Sequence, residues 1–258
     1  MPHPKKTSLP ERVGIREVLD LSWPIMVSMV SFTVMTVVDT IFVARLGTAP
    51  LAAIGLAASV TFLFLAFALG LLRGTRVVVA QSTGAGDEAS VDRSVWQALW
   101  LAWLLGAVIA SMAPLGELIF HWMGGSSTVV AHADGYYTVR VLGGPITFTL
   151  VALNAWFEGR GDTRTPMVAT LISNGLNIAL DPLFIFGWGV VPAMGTAGAA
   201  AATVIACAFG AAFSGFRVHR ALRGRAVPRA PNLDLLREIV RIGLPMGVSR
   251  GLEVGAWV

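Results

Sequence analysis

The chain has 258 residues, of which 55% are hydrophobic and 13% charged, and its mean hydropathy is +0.71. A soluble domain carries about 25% charged residues, so this composition excludes a water-soluble core and points to an all-α membrane protein that crosses the bilayer several times. The net charge is +4, with a single cysteine, Cys207; no disulfide is possible within the chain, and the basic residues do not interleave with aromatics as a nucleic-acid-binding face would require.

The N-terminal basic residues Lys5, Lys6, Arg12 and Arg16 are followed by an apolar stretch too long for a signal peptide, with no small-residue cleavage site. That stretch reads as a retained helix. A span needs about 20 helical residues. Six segments satisfy this: Leu19–Val43, Leu51–Leu72, Val95–Pro114, Tyr136–Phe157, Pro166–Trp188 and Gly195–Phe216. A seventh starts near Leu235 and runs on to Val258. Basic connections alternate with neutral ones. The N-terminus, the region of Arg73, Arg76 and Arg93, the turn with Arg160 and Arg164, and the run Arg217–Arg229 are basic; Leu115–Gly135 and Gly189–Met194 have no Lys or Arg. This places the N-terminus and the even-numbered connections in the cytoplasm.

The first segment carries an acid, Asp39, flanked by Thr36 and Thr40. The fifth, TLISNGLNIALDPLFIFG, carries Asn174, Asn177 and Asp181 at i, i+3 and i+7, one polar stripe of a helix. Pro182 follows and frees the carbonyl of Ile178, one turn back. An acid inside a membrane is costly unless it faces the bundle interior or a partner, so it marks a functional site by default. Structural hydrogen bonding between helices is the alternative. Asp39 falls in the outer half of the membrane, and Asp181 lies roughly 22 Å along a helix that starts inside. Two carboxylates at similar depth can share a proton or a cation, with one pKa raised by desolvation and by the other charge. Pro24 and Pro182 can bend the two helices concerned.

The sixth segment opens GTAGAAAATVIA. Its small-xxx-small pairs Gly195/Ala199 and Gly198/Ala202 allow close helix packing. Thr203 there offers a hydroxyl either to the acids or to its own backbone. QSTGAGDEASVDR, after the second segment, lacks the Lys-Ser/Thr of a phosphate loop and reads as a surface turn. In GRGDTRTP, Asp162 and Arg164 cap and anchor a tight turn. Glu117, His121 and His132 fit no zinc spacing. No nucleophile-base set is present, so an enzyme is not expected.

Ile15–Met29 and Leu236–Arg250 match at Arg16/Arg237, Glu17/Glu238, Pro24/Pro245, Val27/Val248 and Ser28/Ser249, a shift of 221 residues. An even helix count separates the copies, so the repeat is parallel, about an axis along the membrane normal. The expected division is a six-helix lobe over residues 1–216, a basic linker over 217–234, and the start of a second lobe over 235–258. On this reading the sequence is a piece of a protein about twice as long; a half-size transporter that dimerises is the alternative.

VVDTIFVARLGTAPLAAIGLA, VVVAQSTGAGD, FEGRGDTRTPM, LNIALDPLFIFG and GAAAATVIA, in that order, resemble the multidrug and toxic compound extrusion (MATE) family over nearly the whole chain. The resemblance implies a twelve-helix antiporter of two six-helix lobes in the cell inner membrane, monomeric at full length and without a cofactor. It would expel small organic cations in exchange for H⁺ or Na⁺. Asp39 and Asp181 match the family's two coupling acids, with Na⁺ at this pair the one metal expected. Asn154, Asn177 and Thr203 match the polar residues around them. Glu253 falls where other members carry a cation-binding acid of the second lobe. Glu158 stands where a hydrophobic residue is usual, and Cys207 where Gln is frequent. A flippase for lipid-linked saccharides shares the superfamily, but would need a basic cavity; only Arg140 and Arg250 lie within segments. An inactive one-lobe remnant is the remaining alternative.

Overall fold

The computed structural model describes residues 15–256; Lys5, Lys6, Arg12 and Val258 lie outside them. Among the described residues there are nine α-helices: α1 Ile15–Ala44, α2 Thr48–Gly84, α3 Glu88–Ala110, α4 Gly116–Trp122, α5 Ser127–Leu142, α6 Gly144–Gly159, α7 Arg164–Phe186, α8 Gly195–Ala221 and α9 Leu233–Gly255. Five spans are long and apolar enough to cross a membrane, and α5 with α6 supplies a sixth that is bent by 49°.

Three of the expected segments differ from the helices in ways the backbone explains. The second does not stop at Leu72. It continues to Gly84, a 37-residue helix of about 55 Å, so Gln81–Gly84 is helical and the surface turn shrinks to Ala85–Asp87. Asp87 then caps α3, its carboxylate accepting from the Ser90 N–H at 3.0 Å, which starts that helix seven positions before Val95. The fourth segment begins at Ser127 and breaks at Gly143–Gly144–Pro145. Proline removes a donor, and two glycines lower the cost of the break; a side chain at Gly143 would also collide with Val204 of α8. The connection between α3 and α5 is thereby reduced, and it holds the short α4.

α8 runs past Phe216 to Ala221, so the connection to α9 is Leu222–Asn232, shorter than the 217–234 stretch. It is strapped to α3. Arg225 pairs with Asp92 at 2.8 Å and Glu88 at 3.0 Å. Gln97 donates to the Ala230 carbonyl at 3.1 Å and accepts from the Asn232 N–H at 2.8 Å. Asn232 caps α9. With Arg237, Glu238, Arg241, Arg250 and Glu253, α9 is helical but too charged to qualify by composition as a span.

Packing follows side-chain size. Trp156, Tyr137, Phe120 and Phe148 are fully buried, and Trp156 donates its indole N–H to the Val91 carbonyl at 2.8 Å. Where helices touch most closely the residues are glycines. Gly70 and Gly74 of α2 lie on Gly247 and Gly243 of α9, and Gly198 of α8 lies on the Phe184 carbonyl of α7. Ala199 and Ala202 are buried beside it, as the small-residue spacing of that segment requires. α7 leaves this seam through Gly187, whose φ of +78° and contact with Ala193 exclude a side chain.

α1 differs from the rest. It packs mainly along α7, and most of its apolar side chains are exposed, among them Met29, Val30, Phe32 and Val37. Its contacts with α7 include the Asn174 amide, which donates to the Ser31 hydroxyl at 2.9 Å, Phe42, which meets Phe186 edge-on at 6.3 Å, and Val43, buried against Ile185.

Candidate functional site

The polar stripe of α7 faces inward. Asn174, Asn177 and Asp181 are 5%, 1% and 0% exposed. Helical spacing places all three on the face that packs against α1 and α8. The Asn177 amide donates to Asp181 Oδ1 at 3.3 Å and reaches the Thr203 hydroxyl of α8 at 3.4 Å. Thr203 gives its own proton to the Ala199 carbonyl at 2.9 Å. It therefore offers an acceptor to the cluster and no donor.

Asp39 of α1 stands beside Asp181, in hydrogen-bonding range of it. Thr36 and Thr40 do not serve Asp39; their hydroxyls donate to the carbonyls of Phe32 at 3.0 Å and Thr36 at 2.8 Å. Asp39 lines a cleft of about 250 Å³ with Thr40, Leu51, Ile54, Tyr136 and Ala199.

Three buried acceptor oxygens in this cluster have no donor: Asp39 Oδ1, Asn177 Oδ1 and Asp181 Oδ2. Buried polar atoms are almost always paired, and an unpaired one is costly. Three together, on α1 and α7, make a place where a proton or a small cation is stabilised. The donor set is all oxygen, which suits a hard cation.

Two residues of α5 belong to this place and were not among the candidates. Tyr136 lines the Asp39 cleft. Arg140, one turn on, is within electrostatic range of Asp39, Tyr136 and Cys207. Their i, i+4 spacing and the presence of an arginine in an apolar segment were the signals for them.

Two candidates lie apart. Asn154 of α6 accepts from the Ser214 hydroxyl at 2.9 Å and lines another cleft, of about 310 Å³, with Phe32, Thr33, Glu158 and Thr170. Glu253 pairs with Arg250 at 2.7 Å and lines a cleft with Arg73, Pro245 and Ser249. Glu158 pairs with Arg76 at 3.3 Å. In the Arg160–Pro166 turn, Asp162 accepts from the N–H groups of Arg164 and Thr165 at 3.1 and 2.9 Å, whereas Arg164 lies over Trp23 instead of capping. Glu117 and His121 stand 3.9 Å apart, one turn along exposed α4.

Comparison with known proteins agrees with this architecture. The chain is 29% identical over 239 residues to a probable multidrug resistance protein NorM of Thermotoga maritima, covering 91% of this chain and 51% of that protein. It is 31% identical over 244 residues to a NorM protein of Deinococcus radiodurans, covering 93% and 53%. An FAD transporter of Shewanella oneidensis is 29% identical over 218 residues, covering 82% of this chain and 48% of that protein. The chain thus spans about half the length of the curated relatives it matches. A solved multidrug resistance MATE family transporter of the MOP superfamily, in an outward-facing conformation, superposes with a TM-score of 0.79 at 32% identity, covering 90% of this chain and 52% of that one. A MOP superfamily transporter from Pyrococcus furiosus superposes equally well, with the same identity and coverage. The MatE family profile matches residues 24–183, from Pro24 in α1 to just past Asp181 in α7, and with this helical membrane architecture the chain belongs to the MatE family.

Proposed function

We propose that this chain forms the ion-coupled lobe of a secondary antiporter, which exports small organic cations by alternating access in exchange for H⁺ or Na⁺. The observation that carries this reading is the set of unpaired buried oxygens on Asp39, Asn177 and Asp181. An incoming proton or cation supplies what these atoms lack. Because the two acids sit on different helices, filling the site pulls α1 and α7 together, and emptying it lets them separate. α1 is suited to such movement, being packed mainly on one neighbour, α7, and exposed along most of its length. The ion drives export only if it binds the two states with different affinity, and a site split across a helix boundary provides that difference.

The second lobe is part of the same proposal: α9 opens it, and Leu222–Asn232 links the two. The basic face formed by Arg76, Arg160, Arg164, Arg223 and Arg225 lies toward the cytoplasm, in the inner membrane of the cell. Relatives named as multidrug resistance proteins support drug export, and the one named an FAD transporter keeps other organic substrates within the class.

The test is efflux of a fluorescent organic cation by the full-length protein in cells or proteoliposomes. Asp39→Asn and Asp181→Asn should each reduce ion-driven efflux to background while the protein still folds and inserts. Full efflux in both variants would sink the reading.

A further inference from the structure

Arg140 lies in the last turn of α5, just before the Gly143–Gly144 break. Its Nε and Nη1 are buried and have no hydrogen-bond partner. Among the described residues no carboxylate oxygen lies within 4.0 Å of it. Arginine stays charged in proteins, and its donors form a rigid fork that fits a carboxylate. The acids nearby have the opposite deficit, buried acceptor oxygens without donors. The lobe therefore holds two unpaired cationic donors and three unpaired acceptor oxygens in one polar core, not yet in contact.

The polar groups around Arg140 come from several helices: Asp39 of α1, Tyr136 one turn back on α5 and Cys207 of α8, with Thr147 of α6, whose hydroxyl is also unpaired, beside Cys207. Asp181 of α7 is within electrostatic range of Tyr136. The acids are the only anionic groups in this set. The 49° bend after Arg140 gives the end of α5 a hinge about which the side chain and its turn can shift.

Building on the ion site of the preceding section, we propose that Arg140 is its resident cation and makes it select protons over sodium. The hinge lets Nε–H and Nη1–H of Arg140 reach the carboxylate oxygens that lack a donor. A proton returns to a single oxygen and needs no other ligand. Sodium must gather several oxygens at once, and Arg140 occupies them and repels a second cation. At an effective dielectric of ~20, a like charge anywhere within ~12 Å weakens cation binding by at least ~10-fold.

The experiment is sodium binding to the purified protein in nanodiscs above neutral pH, followed by ²³Na line broadening or calorimetry. The wild type should show no saturable sodium binding. Arg140→Gln should gain it, at least ~10-fold tighter than any residual binding of the wild type, and Asp39→Asn in that background should abolish it. Arg140→Lys, which keeps the charge, should remain silent. Saturable sodium binding by the wild type that Asp39→Asn removes would overturn the proposal whether or not Arg140→Gln folds. So would a folded Arg140→Gln that gains none. Binding is read without transport, so a failed ion-site reading shows separately, as full efflux in Asp39→Asn and Asp181→Asn.

Discussion

The glycine seam between α2 and α9 allows a prediction whose sign is decided by competing magnitudes. Alanine is the better helix former, so Gly→Ala in an open helix interior stabilises by ~0.5–1 kcal/mol. At Gly175 of α7 a Cβ would meet nothing within 4 Å. Gly175→Ala should therefore be neutral or stabilising, by up to ~1 kcal/mol. At Gly74 a Cβ would lie 2.8 Å from the Gly243 nitrogen and 2.9 Å from its Cα. At Gly243 it would fall on the Leu71 carbonyl. Both obstacles are backbone, which cannot rotate away, so α2 and α9 must separate. Such overpacking costs ~1–3 kcal/mol, and separation also forfeits dispersion along the seam. The net expectation for Gly243→Ala is a loss of ~0.5–2 kcal/mol, opposite in sign to Gly175→Ala. Denaturant unfolding in mild micelles, with tryptophan fluorescence as the signal, measures both. The tryptophans near the strap, Trp96 and Trp100, report the α3 side of the same region. If Gly243→Ala is as stable as Gly175→Ala, the close approach of α2 and α9 is wrong.

Trp156→Phe leaves the Val91 carbonyl without its 2.8 Å side-chain donor and opens a small cavity at a fully buried position; a loss of ~2–4 kcal/mol is expected in the same unfolding assay. Asp162→Ala removes the acceptor for the first two free N–H groups of α7 and should cost ~1 kcal/mol, read as a small fall in midpoint with efflux retained. Asp87, at the surface, has its carboxyl held below the usual range by hydrogen bonds from Ser90 and, to a lesser extent, by Arg93. A depressed folded-state pKa means its capping contribution is present above the ordinary carboxylate value and is lost as pH falls through the folded one. Amide exchange at Ser90 should accelerate, relative to the intrinsic rate, only in that acid window, and Asp87→Ala should show no such pH-dependent step.

The helices were legible where hydropathy alone determines them. The first, fifth and sixth segments fall within a few residues of α1, α7 and α8. The misreadings came where polar sequence stays helical or apolar sequence breaks. Gln81–Gly84 looked like a turn because its residues are polar and small, yet α2 carries them past the length of a bilayer. Tyr136–Phe157 looked continuous because hydropathy does not register Gly143–Gly144–Pro145. The Gly70/Gly74 and Gly243/Gly247 pairs have the same spacing as the pairs noticed in α8.

In the candidate site, the i, i+3, i+7 stripe was visible because all three residues sit on one helix. The pairing of Asp39 with Asp181 was inferred from depth, since both helices start inside and carry their acid toward the outer end. What spacing could not give was lateral position. Asn154 is polar and intramembrane like the others, but it lies about five residues from the end of α6, and the Ser214 hydroxyl holds it there. Arg140 was legible as a charge in an apolar segment, and was weighed only as a possible anion-binding residue. Its neighbours alter that reading. A guanidinium with two unpaired donors near Asp39 is more simply a counter-charge than a ligand-binding group, because the acid pair already provides the negative charge it lacks. On the proposal made above, such a counter-charge lets the lobe hold its acids without recruiting a metal ion, and selection of the coupling ion falls to a residue of the fourth span as well as to the acids of the first and fifth.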